Sequence, residues 1–199
     1  GDFGSVTVGR FEPMTESKGV SIANIDHSDA LDLESTLGNK GRSEGGFKYV
    51  SPSFNGLKVT LEGFANNESA TTDDFDTTSV GVQYSNAGLT VIAIAEDTSA
   101  TVDQTTFGAK YKMGDLELRA VTTEQDTSGT KVDHTFYGAK YTMGANSVAV
   151  GMVDSDRTDD GDSIISLGHS MSKQTSVYLT HKSYDDSDDR TLVGIKHKF

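Results

Sequence analysis

A serine beside a histidine, as at His169-Ser170, is raw material for a hydroxyl nucleophile, which needs a base within hydrogen-bond reach and a third group to orient that base. Neighbours on a strand point to opposite faces, so this pair makes no dyad if the segment is extended. The five histidines, His27, His134, His169, His181 and His197, have no metal-like spacing. Asp154-Ser155-Asp156 with Asp159, Asp160 and Asp162 offers carboxylates at alternate positions, which suits a hard, oxygen-seeking cation such as calcium. The closing glutamate of a calcium loop is missing, so the stretch reads first as a solvated acidic loop. No catalytic residue, metal or cofactor is expected, and the chain is not expected to be an enzyme.

The elements that carry these residues alternate. Leu116, Leu118 and Ala120 share one face of a strand, and Glu117 and Arg119 the other. Phe107, Ala109, Tyr111 and Met113 alternate with Gly108, Lys110 and Lys112, and Val177 and Leu179 with Tyr178, Thr180 and Lys182. At the C-terminus Val193, Ile195, His197 and Phe199 oppose Gly194, Lys196 and Lys198. A soluble antiparallel sandwich also alternates, so the connections have to decide.

About twelve strands are predicted, starting near residues 3, 45, 57, 77, 89, 105, 116, 132, 147, 162, 175 and 190, an even number that suits a barrel. Every second connection is a tight turn: Asn55-Gly56, Asn86-Ala87-Gly88, Gly114-Asp115, Gly144-Ala145-Asn146 and Ser172-Lys173-Gln174. The others are acidic loops rich in Ser and Thr, at 66–76, 96–104, 124–133, 154–162 and 185–189. Short turns at one rim and longer loops at the other are the pattern of an outer-membrane barrel, with the loops outside and Phe199 periplasmic. The fold is therefore all-β, a transmembrane antiparallel up-and-down β-barrel forming a single domain over residues 1–199.

Composition agrees. Mean hydropathy of −0.43 and 34% hydrophobic residues exclude a membrane-spanning helix, whereas a barrel closes its own hydrogen bonds and needs apolar residues on one face only. A net charge of −13 repels nucleic acid and, taken as a whole, favours cations near the mouth. The absence of cysteine fits an exported protein. Pro13 and Pro52 fall at strand ends, where a missing N–H costs little.

One segment, residues 12–41, breaks the alternation. It is longer than an ordinary connection, which points to function or disorder. Val20-Ser21-Ile22-Ala23-Asn24-Ile25 and Ala30-Leu31-Asp32-Leu33 supply enough apolar surface to pack against something. The inside of the barrel is the obvious surface, and there the segment would narrow the pore. A surface flap with a short helix is the alternative. Phe107-Gly-Ala-Lys-Tyr-Lys-Met-Gly114 is echoed at Tyr137-Gly-Ala-Lys-Tyr-Thr-Met-Gly144, one strand–turn–strand–loop unit later. Tyr111 and Tyr141 suit an interfacial girdle.

Phe3-Gly-Ser-Val-Thr-Val-Gly-Arg10 resembles the fifth strand of the Gram-negative general diffusion porins. Gly41-Arg42, Gly45-Gly-Phe-Lys-Tyr49, Ser51-Pro-Ser-Phe-Asn-Gly-Leu57 and Glu62-Gly-Phe-Ala65 resemble their sixth and seventh strands. The order holds to the terminal Phe199, so the chain matches strands five to sixteen of a barrel of about sixteen strands. It is expected to be the C-terminal portion of a larger porin, the alternative being a shorter barrel of about twelve strands.

The resemblance implies a water-filled channel for passive diffusion of small hydrophilic solutes and ions, seated among outer-membrane lipid and lipopolysaccharide, and a homotrimer. It implies that Phe199 is read by the barrel-assembly machinery. It also implies that residues 12–41 are the constriction loop, with Arg10 and Arg42 as wall arginines facing loop acids among Asp26, Asp29, Asp32 and Glu34. Lys48 and Lys58 extend the basic side if they point inward. Opposed charges across a narrow, wet constriction order water and make passage costly for apolar solutes. The acids of 154–162 would at most bridge weakly through a divalent cation to lipopolysaccharide phosphates. The rival reading is a structural or adhesive surface barrel plugged by residues 12–41.

Overall fold

The computed structural model describes residues 1–25, 41–65, 75–98, 102–156, 162–184 and 188–199. Among the described residues twelve antiparallel strands follow one another in chain order in a single sheet, whose edges β1 and β12 are not paired with each other. They are β1 (Ser5–Phe11), β2 (Ser43–Val50), β3 (Leu57–Phe64), β4 (Thr77–Asn86), β5 (Leu89–Thr98), β6 (Val102–Met113), β7 (Leu116–Thr127), β8 (Thr130–Met143), β9 (Asn146–Ser155), β10 (Asp162–Ser170), β11 (Thr175–Ser183) and β12 (Arg190–His197). Among the described residues no helix is long and apolar enough to cross a membrane. Each strand pairs with its sequence neighbour, so the meander is an up-and-down barrel wall rather than a Greek key.

The two faces of this sheet have opposite chemistry. Val80, Val82, Val91, Phe107, Leu118, Tyr137, Val150, Met152, Ile165 and Leu167 are exposed on one of them. The other buries Thr60, Glu62, Ser79, Glu96, Gln104, Thr106 and Thr123. Apolar side chains outside and polar ones inside invert a soluble sandwich, as lipid on the outer face requires. Hydroxyl pairs such as Thr106–Thr123 at 3.0 Å and Ser166–Thr180 at 2.7 Å satisfy part of the inner face across strands.

The tight turns stand where the glycine and asparagine signals put them, and Asn55 and Gly56 take φ of 51° and 90° between β2 and β3. Two expected loops are corrected: within 96–104 the described residues extend β5 and β6, paired as Glu96↔Gln104, Asp97↔Asp103 and Thr98↔Val102. Residues 124–133 are not a loop: β7 and β8 stay paired from Glu124↔Asp133 to Thr127↔Thr130, closed by Ser128 and Gly129 at φ of 55° and 87°. Threonine-rich acidic sequence looks like a loop by composition, yet threonine is a good strand residue. The Ser-Gly pair supplies the turn, and Lys131 meets Glu124 at 2.6 Å across it.

After β1 the chain turns onto the inner face. Thr15–Val20 forms a wide, π-type helical turn continued by the single α-turn Ser21–Ala23. Met14, Val20, Ile22, Ala23 and Ile25 bury themselves against Ile92, Ile94, Val121, Phe136, Ala149, Val153 and Ile164. This cluster is the core of the molecule, and it lies on the inner face.

Candidate functional site

Helical turns this short are unstable alone, so contacts with the wall must hold them. Glycines make the room. A Cβ on Gly108 would lie 2.9 Å from Ile22 Cδ1, one on Gly138 2.7 Å from Ile25 Cδ1, and one on Gly81 would overlap Met14 Sδ. Gly108 and Gly138 are equivalent residues of the internal echo. The repeat therefore provides two sockets on neighbouring parts of the wall for isoleucines three residues apart.

Polar contacts fix the rest. The Met14 N–H donates to Glu62 Oε2 at 2.8 Å, and the Thr15 hydroxyl to Glu96 Oε2 at 3.2 Å. Ser79 and Thr98 also donate to Glu96, at 3.2 Å each. Lys18 Nζ donates to Gln83 Oε1 at 2.6 Å. Burial pulls the Lys18 ammonium below the usual lysine range, and the charges of Lys48 and Lys58 push the same way, while Glu62 opposes them. At the far end Arg119 Nη1 donates to the Ile22 carbonyl at 3.2 Å and to the Asn24 carbonyl, while Nη2 reaches Glu117 Oε1 at 2.5 Å. The guanidinium thus satisfies carbonyls left open where the helical turn ends.

The expected site residues divide. Lys48 faces inward: its Nζ is 2.7 Å from Glu62 Oε1, 3.2 Å from the Glu12 carbonyl oxygen and 4.4 Å from the Phe11 ring centroid. Glu62 has a fully buried side chain, so this is a sheltered ion pair. Phe11 also packs on Phe64, 4.9 Å between centroids. Lys58 shares the inward parity of Thr60 and Glu62 and is exposed. Arg10 sits where the β1–β2 register shifts, and pairs with Glu44 at 3.7 Å; Arg42 pairs with Glu12 at 3.4 Å. Asp26, Asp29, Asp32 and Glu34 lie outside the described residues. Phe199 is fully exposed beyond β12.

Glu62, Glu96, Gln83 and Arg119 were not singled out from the sequence as partners of the segment, nor was Lys18 within it. Alternation marks four of them as inward, but only the fold brings residues so far apart in sequence together. The structure also joins a serine to a histidine that sequence adjacency would not suggest: Ser155 Oγ lies 2.6 Å from His134 Nδ1, across β9 and β8. Both are buried, and the contact links two strands. His169 instead meets Asn146 Oδ1 at 2.8 Å. Among the described residues no group of His, Cys, Asp or Glu could hold a metal, and 157–161 lie outside them.

Solved porins share this architecture. An anion-selective porin from Comamonas acidovorans is 22% identical, with a TM-score of 0.73 over 100% of this chain and 75% of that one. Salmonella typhi OmpF, solved in complex with daunomycin, is 17% identical with a TM-score of 0.77, covering 98% and 74%. A Vibrio cholerae outer-membrane protein, OmpT lacking loop L8, is 15% identical with a TM-score of 0.68, covering 98% and 76%. At these identities the likeness is one of fold. No curated protein matches the chain. The sequence profile of the Gram-negative porins, however, matches residues 1–189, and with the inverted barrel wall it shows that this chain is an outer-membrane β-barrel protein belonging to the Gram-negative porin family.

Proposed function

We propose that the protein forms a water-filled channel through which small hydrophilic solutes and ions diffuse passively, narrowed by residues 12–41. The observation that carries this is the segment 14–25 seated on the inner wall, its apolar side chains in the core cluster and its polar groups held by Glu62, Glu96, Gln83 and Arg119. An inner face that carries polar and charged side chains around the apolar seat of the segment, while the outer face is apolar, suits a wet lumen. Arg10 and Arg42 are the wall side of a transverse field, with Asp26, Asp29, Asp32 and Glu34 as its acidic side. The assembled form is a homotrimer; a trimer form is known for the Vibrio cholerae OmpT neighbour. Phe199, exposed at the end of the chain with its ring edge-on to His197 of β12, is the residue offered to the assembly machinery.

The test is single-channel conductance of the purified, folded protein in a planar bilayer. Stable ohmic steps are expected. Silence from a folded, heat-modifiable barrel would mean either that the segment plugs the lumen and the protein is structural or adhesive, or that the twelve strands, whose edges β1 and β12 are unpaired, do not close a pore by themselves.

A further inference from the structure

Net charge hides a partition of the wall. Lys58, Lys110, Lys112, Lys140 and Lys196 all lie at inward positions within a few residues of the short turns. Lys110 follows Gly108 by two residues and Lys140 follows Gly138 by two, so both occupy the wall between the seated segment and the short-turn rim. Lys110 is registered directly beside Arg119, and Lys58 beside Gln83. In this band the described strand residues include one acid, Glu117, already held by Arg119. Among the described residues no ion pair joins Lys58, Lys110, Lys112 or Lys196 to a carboxylate, although Glu117 is registered opposite Lys112. At the opposite rim Asp97, Asp103, Glu124, Asp126 and Asp133 end β5 to β8, but they share the parity of Val91, Phe107, Leu118 and Tyr137 on the outer face and do not line the lumen.

We infer that the chamber between the seated segment and the short turns concentrates anions, so the channel selects small carboxylates and phosphates over cations although the chain carries a charge of −13. The inference rests on the open-channel reading. Charges on a wall that encloses water act on the permeating ion, whereas those on outer loops are screened by bulk salt. Selectivity follows the inward charges and not the sum.

The test is the reversal potential of the wild-type channel in a potassium chloride gradient, repeated with gluconate and with phosphate as the anion. A chloride-to-potassium permeability ratio above unity is expected in dilute salt. It should fall toward unity as salt rises from about 0.1 to 1 M, where the Debye length drops from about 10 to 3 Å. In the variant K58Q/K110Q/K112Q/K196Q the ratio should drop below unity. Cation-directed potentials from wild-type steps overturn the inference while leaving the channel standing, as does a folded, conducting variant with unaltered selectivity. No steps at all overturn the channel reading, and this inference with it. The wild-type salt series decides the matter even if the variant fails to fold.

Discussion

Ile22 lies against Gly108 so closely that a Cβ there would stand 2.9 Å from Ile22 Cδ1 and 3.0 Å from Ile92 Cγ1. The wall of the barrel is thus notched for the segment that crosses it. Gly108→Leu should force the segment off the wall and cost about 1–3 kcal/mol, the usual range for overpacking a filled site. A raised and noisier single-channel conductance, with a larger size cut-off in liposome swelling, is the expected readout. An unaltered conductance would mean that the segment does not limit the pore.

Glu62 binds the start of the segment and neutralises Lys48 at once. Removing one member of a sheltered ion pair leaves the other uncompensated, at a cost of about 3–5 kcal/mol, which water in the lumen would moderate. Glu62→Ala should therefore lower the heat-modification temperature clearly. The double variant K48M/E62M should recover most of that loss, because no charge remains unpaired. If the double variant is no better than the single one, the Met14 N–H contact is the larger contribution.

Lys18 carries a depressed pKa because it is half-buried between the wall and two other lysines. Its charged form is disfavoured when folded, so between the folded pKa and the ordinary value of about 10.5 the unfolded chain binds more protons. Stability therefore rises with pH through that window, and the penalty is fully present below it. Raising pH through the same window should move the reversal potential in the cation direction before the exposed lysines titrate. Lys18→Met should abolish this early step, and a step that survives would belong to another group.

Arg119 spans two jobs that lysine cannot share: Nη1 holds the carbonyls of Ile22 and Asn24, and Nη2 holds Glu117. Arg119→Lys should loosen the end of the segment by about 1–3 kcal/mol, the cost of leaving sheltered acceptors unmet. Trypsin cleavage after Lys18 in the folded protein is the measurement, and it should accelerate. Equal cleavage rates would show that apolar seating alone retains the segment.

Most of the wall was legible because a strand has period two. Alternation at Leu116–Ala120 or Phe107–Met113 needs no partner to be read, and glycine or asparagine at Asn55-Gly56 declares its turn through backbone sterics. The 124–133 stretch misled because composition marks polarity, while the turn itself requires only Ser128 and Gly129. The long segment was visible as a break in alternation, and its apolar residues announced that it packs somewhere.

Which wall residues receive it was decided only in three dimensions. Gly108 and Gly138 look like ordinary strand glycines of a repeat until Ile22 and Ile25 occupy the space their missing side chains leave. Glu62, Glu96 and Arg119 meet the segment only because strand register and barrel curvature carry distant residues to one surface. Charge follows the same division. The total of −13 is a property of the chain alone, but an ion in the lumen meets the residues that point inward, and the strand register determines which these are. Local periodicity thus sets the face of each side chain, whereas its neighbours depend on the register between adjacent strands and on where the folded segment meets the curved wall.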